Sequence, residues 1–161
     1  MNSSSEPAPL VSVIILNYNG ARWLERCLES VKGQSLFSKI EIIVADNLST
    51  DGSDSLAKEL LCGWTNGRFV QHGANLGYCE GNNRAAELAK GEYLLFLNND
   101  TWLESDCLES LVNGVRSSGA AAGMPLILNY ADNTFQSLGA AGFDFLGLTS
   151  KNAPFDTTRP V

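Results

Sequence analysis

The sequence predicts an α/β protein built on a mainly parallel, doubly wound sheet. Three observations carry that expectation. Short, β-branched apolar runs alternate with stretches of helical periodicity, which is how successive βαβ units read. The runs are nearly continuous, as in strands buried on both faces, and do not alternate polar with apolar. Each run then breaks into a polar loop rich in Asn, Asp, Ser and Gly.

Val11–Leu16 is the first such run. Asn17, Tyr18, Asn19 and Gly20 break it, and Leu24, Cys27, Leu28 and Val31 follow at i, i+3, i+4 and i+7, one face of a helix. Gly33 is placed to close that helix. Ile40–Ala45 is a second buried strand and 46–53 a turn-rich loop. Leu56, Ala57, Leu60 and Leu61 form the inner face of a second helix. A short strand over Arg68–Gln71 leads into a loop from Gly73 to Asn83, then a helix over Asn82–Lys90 stopped by Gly91. Tyr93–Leu97 is a fourth strand. Ser105 and Asp106 have the chemistry to start a helix whose apolar stripe is Leu108, Leu111, Val112 and Val115. Farther on, Ala120–Met124 and Leu126–Leu128 are strand candidates, and Asp132-Asn133 is a turn before Phe135–Leu138, giving a hairpin. The Pro-containing stretch 148–161 has no periodicity and reads as loop.

With 161 residues, 44% of them hydrophobic, the chain is sized for one globular domain with a substantial core. We divide it into a flexible tail at 1–9, a domain over 10–147, and the segment 148–161. The formal charge of -7 and the lack of a Lys/Arg run argue against nucleic acid as a partner. Cys27, Cys62, Cys79 and Cys107 form no C-x-x-C pair, and one histidine, His72, cannot complete a zinc set. Reduced, mostly buried thiols in a cytoplasmic protein are expected, although a disulfide pair is compatible with the spacing. The polar N-terminus has no signal-peptide core, and no apolar run approaches the about 20 residues a transmembrane helix needs.

In doubly wound sheets ligands bind outside the carboxyl ends of the strands. The loops after Leu16, Ala45 and Leu97 leave those ends, and the Gly73–Asn83 loop follows the remaining strand. Asp46, at the end of a buried strand, needs donors or solvent; a nucleotide base or ribose would serve, and so would an Asx-turn. The loop after the first strand holds only Gly20 and no G-x-G-x-x-G or Walker A string, which disfavours a dinucleotide oxidoreductase. Asn98-Asn99-Asp100 offers one carboxylate and amide oxygens, a donor set for Mg²⁺ or Mn²⁺ shared with substrate phosphates, yet the same string is an ordinary turn elsewhere. Asn75, Gly77, Gly81, Asn82 and Asn83 would let backbone and amide groups approach a phosphate or sugar, or would simply form an exposed loop. Arg84 is read as capping the acidic surface, with a diphosphate contact as the alternative; Trp23, Trp102, His72 and Cys79 are read as structural.

Four strings, 11–20 (VSVIILNYNG), 42–53 (IIVADNLSTDGS), 75–83 (NLGYCEGNN) and 94–101 (LLFLNNDT), resemble in order and spacing the family 2 glycosyltransferases, an inverting group with the nucleotide-diphospho-sugar transferase (GT-A) fold. The string at 98–101 and the Gln136–Gly139 segment resemble its rhamnosyltransferase-like branch. The resemblance spans Val11 to about Gly147. It implies that Asn17, Tyr18 and Asn19 line a base pocket and that Asp46 hydrogen-bonds a pyrimidine. It also implies Asn75 and Gly77 near the nucleotide and diphosphate, and Asn82 and Asn83 near the sugar. Asp100 matches the last carboxylate of the family's D-x-D motif and would be the metal ligand, with Asn98 in the place of the first Asp and Asn99 between them. An amide for a carboxylate lowers the charge of that site and puts strict metal dependence in question.

The implied activity is transfer from a nucleoside-diphosphate sugar to a glycan or lipid-linked acceptor hydroxyl, by direct displacement with inversion. The family's base is an acidic residue well downstream, and only Asp144 and Asp156 follow Asp132, neither in such a context. The expectation is therefore an acceptor half and base absent from this chain, 148–161 being loop or the truncated start of that half. The alternative is a binding or assembly module without the chemistry. A nucleotidyltransferase is weaker, since residues 17–22 lack a Gly-rich basic loop. Location is expected in the cytoplasm, or peripheral at the inner face of the membrane, and exposed core would favour a homodimer.

Overall fold

Two strands form the centre of the fold because their sequences are apolar up to the last residue save for Ser12 and Glu41, which hydrogen-bond each other at 2.6 Å. β1 (Val11–Asn17) is buried throughout except at Leu16, and β2 (Ile40–Asp46) except at Glu41. In this computed structural model, which describes residues 7–137, 140–143 and 150–152, they pair in parallel from Val11 beside Ile40 to Asn17 beside Asp46. β3 (Gly67–Gln71) flanks β2, and β4 (Tyr93–Asn98) flanks β1 on the other side, giving the order β3-β2-β1-β4, all parallel.

Right-handed crossovers decide where the helices lie. α1 (Leu24–Lys32) and α2 (Ser53–Leu60) carry the chain from β1 to β2 and from β2 to β3, so they share a face and pack on each other. All four residues of the expected α1 stripe are buried. In α2, Ala57 is buried, as is Leu61 just beyond it, while Leu56 and Leu60 are half-buried. α3 (Gly77–Ala86) carries the chain back from β3 to β4 and lies on the opposite face, where Ala85 packs with Ile14, Ile43 and Ala45 against Leu16 and Val70.

Several local expectations are corrected. Helix α3 begins at Gly77, five residues before the expected Asn82, and absorbs most of the Gly73–Asn83 loop. Its weak helix formers are tolerated because Gly81 lets the helix approach the sheet: a Cβ there would lie 2.8 Å from Leu16 Cδ1 and 3.0 Å from Asn47 Oδ1. Regular helix ends at Ala86, and the chain tightens through Leu88 N–H to Ala85 O and Ala89 N–H to Ala86 O before Gly91. Gly33 ends α1 with right-handed geometry, φ -75°, and not in the left-handed form. Pro9 and Leu10, at the edge of the expected tail, are tied to β4 by Glu92 N–H and Tyr93 N–H. β4 is an edge of this sheet, with Leu94 and Phe96 exposed, so its apolar run does not mean two covered faces.

The chain divides into two compact units, one ending at Glu109 and one beginning at Ser110, and α4 (Cys107–Ser118) runs through the division. The helix start is held from a distance: buried Gln34 accepts from Leu108 N–H at 3.1 Å. In the second unit, Gly119 at φ +64° follows the helix. β5 (Ile127–Leu128) and β6 (Phe135–Ser137) make the expected antiparallel hairpin, closed by Asn129 N–H to Thr134 O at 2.8 Å. Residues 120–124, expected as strand, are irregular up to Pro125. β7 (Ala140–Phe143) pairs with β8 (Ser150–Asn152), so the stretch expected as loop contains a short strand. Leu138, Gly139, Asp144 and Asp156 lie outside the described residues.

All four cysteines are free. Cys27 is buried and Cys107 half-buried, but Cys62 and Cys79 are exposed, which corrects the expectation of mostly buried thiols. Among the described residues no helix is long and apolar enough to cross a membrane.

Candidate donor site

The strand order reverses between β1 and β4, and the register brings Asn98 beside Leu16 and Asp46 beside Asn17, so three strand ends stop at one level. A doubly wound sheet opens its crevice at such a switch point.

The first thing built there is an anchor. Asn17 is fully buried, and its Nδ2 donates to Asp46 Oδ1 at 2.7 Å and to Ser53 Oγ at 2.8 Å, with Ser49 Oγ at 3.2 Å. Its Oδ1 accepts from Asn99 Nδ2 at 2.9 Å. One side chain thus joins the loops after β1, β2 and β4. Asp46, also fully buried, accepts from Ser49 N–H at 2.9 Å and from the Ser49 hydroxyl. Asn19, at φ +52°, ties the first two loops again, accepting from Thr50 N–H at 2.8 Å and donating its own N–H to Ser49 Oγ at 2.9 Å. Gly20 is needed here, because a Cβ would collide with the side chains of Asn17 and Asn99.

The second thing is a cleft of about 460 Å³ lined by Leu16, Tyr18, Asn47, Asn75, Gly77, Tyr78, Asn98, Asn99 and Asp100. The two-residue period of a strand separates it from the anchor. Asn17 and Asp46 face α1 and α2, whereas Leu16, Tyr18 and Asn47 fall on the side of α3. Tyr18 and Tyr78 are 51% and 60% exposed, enough ring surface to stack on a planar ligand. Asn75 Oδ1 accepts from Gly77 N–H at 3.0 Å, and Asn47 Nδ2 donates to Gly77 O at 3.0 Å, which fixes a turn where Gly77 has φ +72°. Asn98 and Asp100 are exposed, and their loop is held from behind by Leu103 N–H to Ser30 Oγ at 3.1 Å and Gln34 Nε2 to Glu104 O at 2.7 Å.

Of the residues singled out from the sequence, Tyr18, Asn75, Gly77, Asn98, Asn99 and Asp100 line this cleft. Asn17, Asp46 and Asn19 belong to the anchor behind it. Asn82 is buried and donates to Tyr78 O at 2.9 Å, while Asn83 is exposed on α3; neither lines the cleft. Asn47, Tyr78 and Leu16 were missed. The alternation along β1 and β2 was the available signal for Leu16 and Asn47; Tyr78 was hidden by reading its helix as loop. Arg84 pairs with Glu80 at 2.9 Å, in line with a surface role. Arg22 and Arg26 lie 4.3 Å and 4.0 Å over the rings of Trp23 and Trp102, and neither Trp lines the cleft.

The donor set suits a divalent ion that arrives with a diphosphate. Asp100 is the one carboxylate among the lining residues, beside the Asn98 amide, and no group of three or more His, Cys, Asp or Glu gathers among the described residues. One carboxylate plus phosphate and water oxygens is a common Mg²⁺ arrangement. Beneath the loop, Cys27 Sγ lies 3.6 Å from Asn98 O; burial, and then the Asp100 charge, push its pKa to about 12, so it stays a neutral thiol.

The profile of glycosyl transferase family 2 matches residues 12–155. The chain belongs to that family. It is 34% identical over 124 residues, 76% of this chain, to EpsH of Bacillus subtilis (strain 168), which carries a glycosyltransferase name. In structure it is similar to Staphylococcus aureus TarS 1-349 in complex with UDP-GlcNAc, with TM-score 0.69, 23% identity and 80% of this chain covered against 37% of that one; this likeness shows the GT-A fold. It is also similar to a Pyrobaculum calidifontis mannosyltransferase in complex with GDP-Man and Mn²⁺, with TM-score 0.62, 27% identity and coverage of 68% and 33%. The family 2 chain spans 34% of the length of EpsH.

Proposed function

We propose that this chain supplies the donor half of an inverting glycosyltransferase, binding a nucleoside-diphosphate sugar in the cleft between β1 and β4. The observation that carries the reading is the convergence of Asp100, Asn98, Asn75, Gly77 and the two tyrosines on one cavity at the switch point. Tyr18 and Tyr78 would flank the base, the Gly77 turn would meet the diphosphate, and Asp100 would hold Mg²⁺ or Mn²⁺ against it. A divalent ion there offsets the charge that develops on the departing diphosphate. Asn17, Asp46 and Asn19 act by holding these loops in place, and Asn82 steadies Tyr78 from within α3 by donating to its carbonyl. The rhamnosyltransferase-like reading of the sugar rests on the strings at 98–101 and 136–139, and the acceptor would be a glycan or a lipid-linked glycan at the inner face of the membrane.

A second reading, a binding or assembly module, is favoured by one observation: Asp100 is the sole carboxylate lining the cleft, so if it holds the metal ion no second carboxylate there is left to act as the base. Both readings require donor binding. Calorimetry with UDP, GDP and dTDP, each with MnCl₂, should give saturable binding of at least one. Folded protein that binds none would sink both readings. Transfer from a bound sugar to any acceptor separates the first from the second. The exposed Leu94 and Phe96 on β4 are the proposed homodimer face; light scattering showing only monomer at high concentration removes it.

A further inference from the structure

We propose that His72 is a positioning residue for the donor cleft: as the Nδ1–H tautomer it donates to Asn47 Oδ1, fixes the direction of the Asn47 amide, and so holds the Gly77 turn. The inference rests on the donor-site reading for its purpose, but not for its geometry.

The hydrogen-bond chain has only one consistent sense. Asn47 is 2% exposed, so neither end of its amide can turn to water. On one side it faces Gly77 O at 3.0 Å and Asn75 Oδ1 at 3.5 Å, both acceptors, and that end must be Nδ2. Its Oδ1 therefore faces His72 Nδ1 at 3.0 Å, and that nitrogen must carry the proton. The other ring nitrogen, Nε2, is buried with no hydrogen-bond partner among the described residues. The Nδ1–H tautomer leaves only that lone pair unmet, whereas the Nε2–H tautomer would leave a buried donor without an acceptor and also set the Nδ1 lone pair against Asn47 Oδ1. The tautomer with fewer unmet groups is Nδ1–H. Burial first, then the Arg84 charge, lower the His72 pKa below its ordinary 6.5, against the opposing pull of Asp46 and Glu80, so the ring is neutral at neutral pH.

The rest of the arrangement shows why the amide direction matters. His72 N–H donates to Asp46 O at 3.0 Å, so the ring is carried on the backbone that extends β3 beside the anchor. Gly77 N–H donates to Asn75 Oδ1 at 3.0 Å. If the Asn47 amide reversed, its oxygen would oppose Gly77 O and Asn75 Oδ1 together, and the turn that lines the cleft would lose its tie to β2.

His72 is the chain's only histidine, so imidazole ¹⁵N labelling gives a single assignable pair. We expect the Nδ1–H tautomer; an Nε2–H signature overturns the proposal. Two isosteres test the role. His72→Asn places an amide N–H where Nδ1 sits, whereas His72→Gln places one where Nε2 sits. With UDP or GDP and MnCl₂ as probe, His72→Asn should bind within about threefold of the parent, and His72→Gln about tenfold more weakly, the loss of one oriented hydrogen bond. Equal binding by both variants overturns the role, and thermal melts confirm that each is folded. If the parent binds no nucleotide, the donor-site reading fails by itself. The Gly77 amide then decides: its hydrogen exchange should quicken in His72→Gln and stay slow in His72→Asn, and no difference overturns the inference.

Discussion

Asn99 Nδ2 lies 2.9 Å from Asn17 Oδ1, so the loop that presents Asp100 is tethered to a side chain buried at the end of β1. The tether joins the two strands between which the sheet order reverses. Because the same Asn17 also donates to Asp46 and Ser53, movement of the β4 loop is resisted by the loops after β1 and β2 together.

Asn17→Ala should therefore destabilise the fold by about 3 kcal/mol, since it strips donors from a buried carboxylate and leaves several polar atoms unmet. Urea unfolding measures this. A loss below about 0.5 kcal/mol would place it with ordinary surface changes and refute the anchor.

Asp100 is exposed and holds no part of the core. Asp100→Ala should leave the melting temperature unchanged and weaken diphosphate binding about tenfold or more with Mn²⁺ present, with little effect when the ion is chelated. Equal binding with and without that carboxylate, metal present, removes it from the site.

Two backbone positions report on left-handed geometry. Gly77 has φ +72° with open space where a Cβ would go, so Gly77→Ala changes strain alone and should cost about 1–2 kcal/mol. Leu48 holds φ +64° with an exposed side chain, and Leu48→Asn should stabilise by about 0.5–1 kcal/mol, because Asn tolerates that region. Opposite signs in denaturant midpoints check both.

Asp51 gives a pH dependence with a definite sign. Burial by itself would raise its pKa, but the Ser53 hydroxyl and the N–H groups of Ala21 and Ser53 outweigh that and lower it from 3.8. A depressed folded pKa contributes stability above the unfolded value, lost as pH falls through the folded one. The parent should therefore exceed Asp51→Asn in stability near neutral pH, and the gap should close in strong acid. A gap that persists in acid would assign the effect to packing.

Thiol reactivity tests the burial pattern. At about pH 8 a disulfide reagent should react quickly with Cys62 and Cys79 and not with Cys27, whose pKa of about 12 leaves almost no thiolate. Cys107, raised by burial and then by Asp106 and Glu104, should be slow. Rapid modification of Cys27 in folded protein would show that the floor of the Asp100 loop opens.

By itself the sequence determined the fold class and the level at which the site forms. Continuous β-branched runs at Val11–Leu16 and Ile40–Ala45 have no stable place except between two helical layers, and parallel crossovers then put the loop after each strand at the same end of the sheet. The loops that carry Tyr18, Gly77 and Asp100 were legible for that reason, and the roles expected of these residues came from the resemblance to family 2. What only the tertiary structure decided is which polar residue at each strand end anchors and which lines the cleft. Asn17 and Tyr18, or Asp46 and Asn47, are neighbours in the string but point to opposite faces, and the choice depends on which helix covers each face. The start of α3 was hidden too: Gly77 to Asn83 is poor helix sequence, and packing of Gly81 against Leu16 and Asn47 makes it a helix. His72 looked structural until the fold placed its ring against Asn47, since a hydrogen-bond direction arises only when both partners are in place.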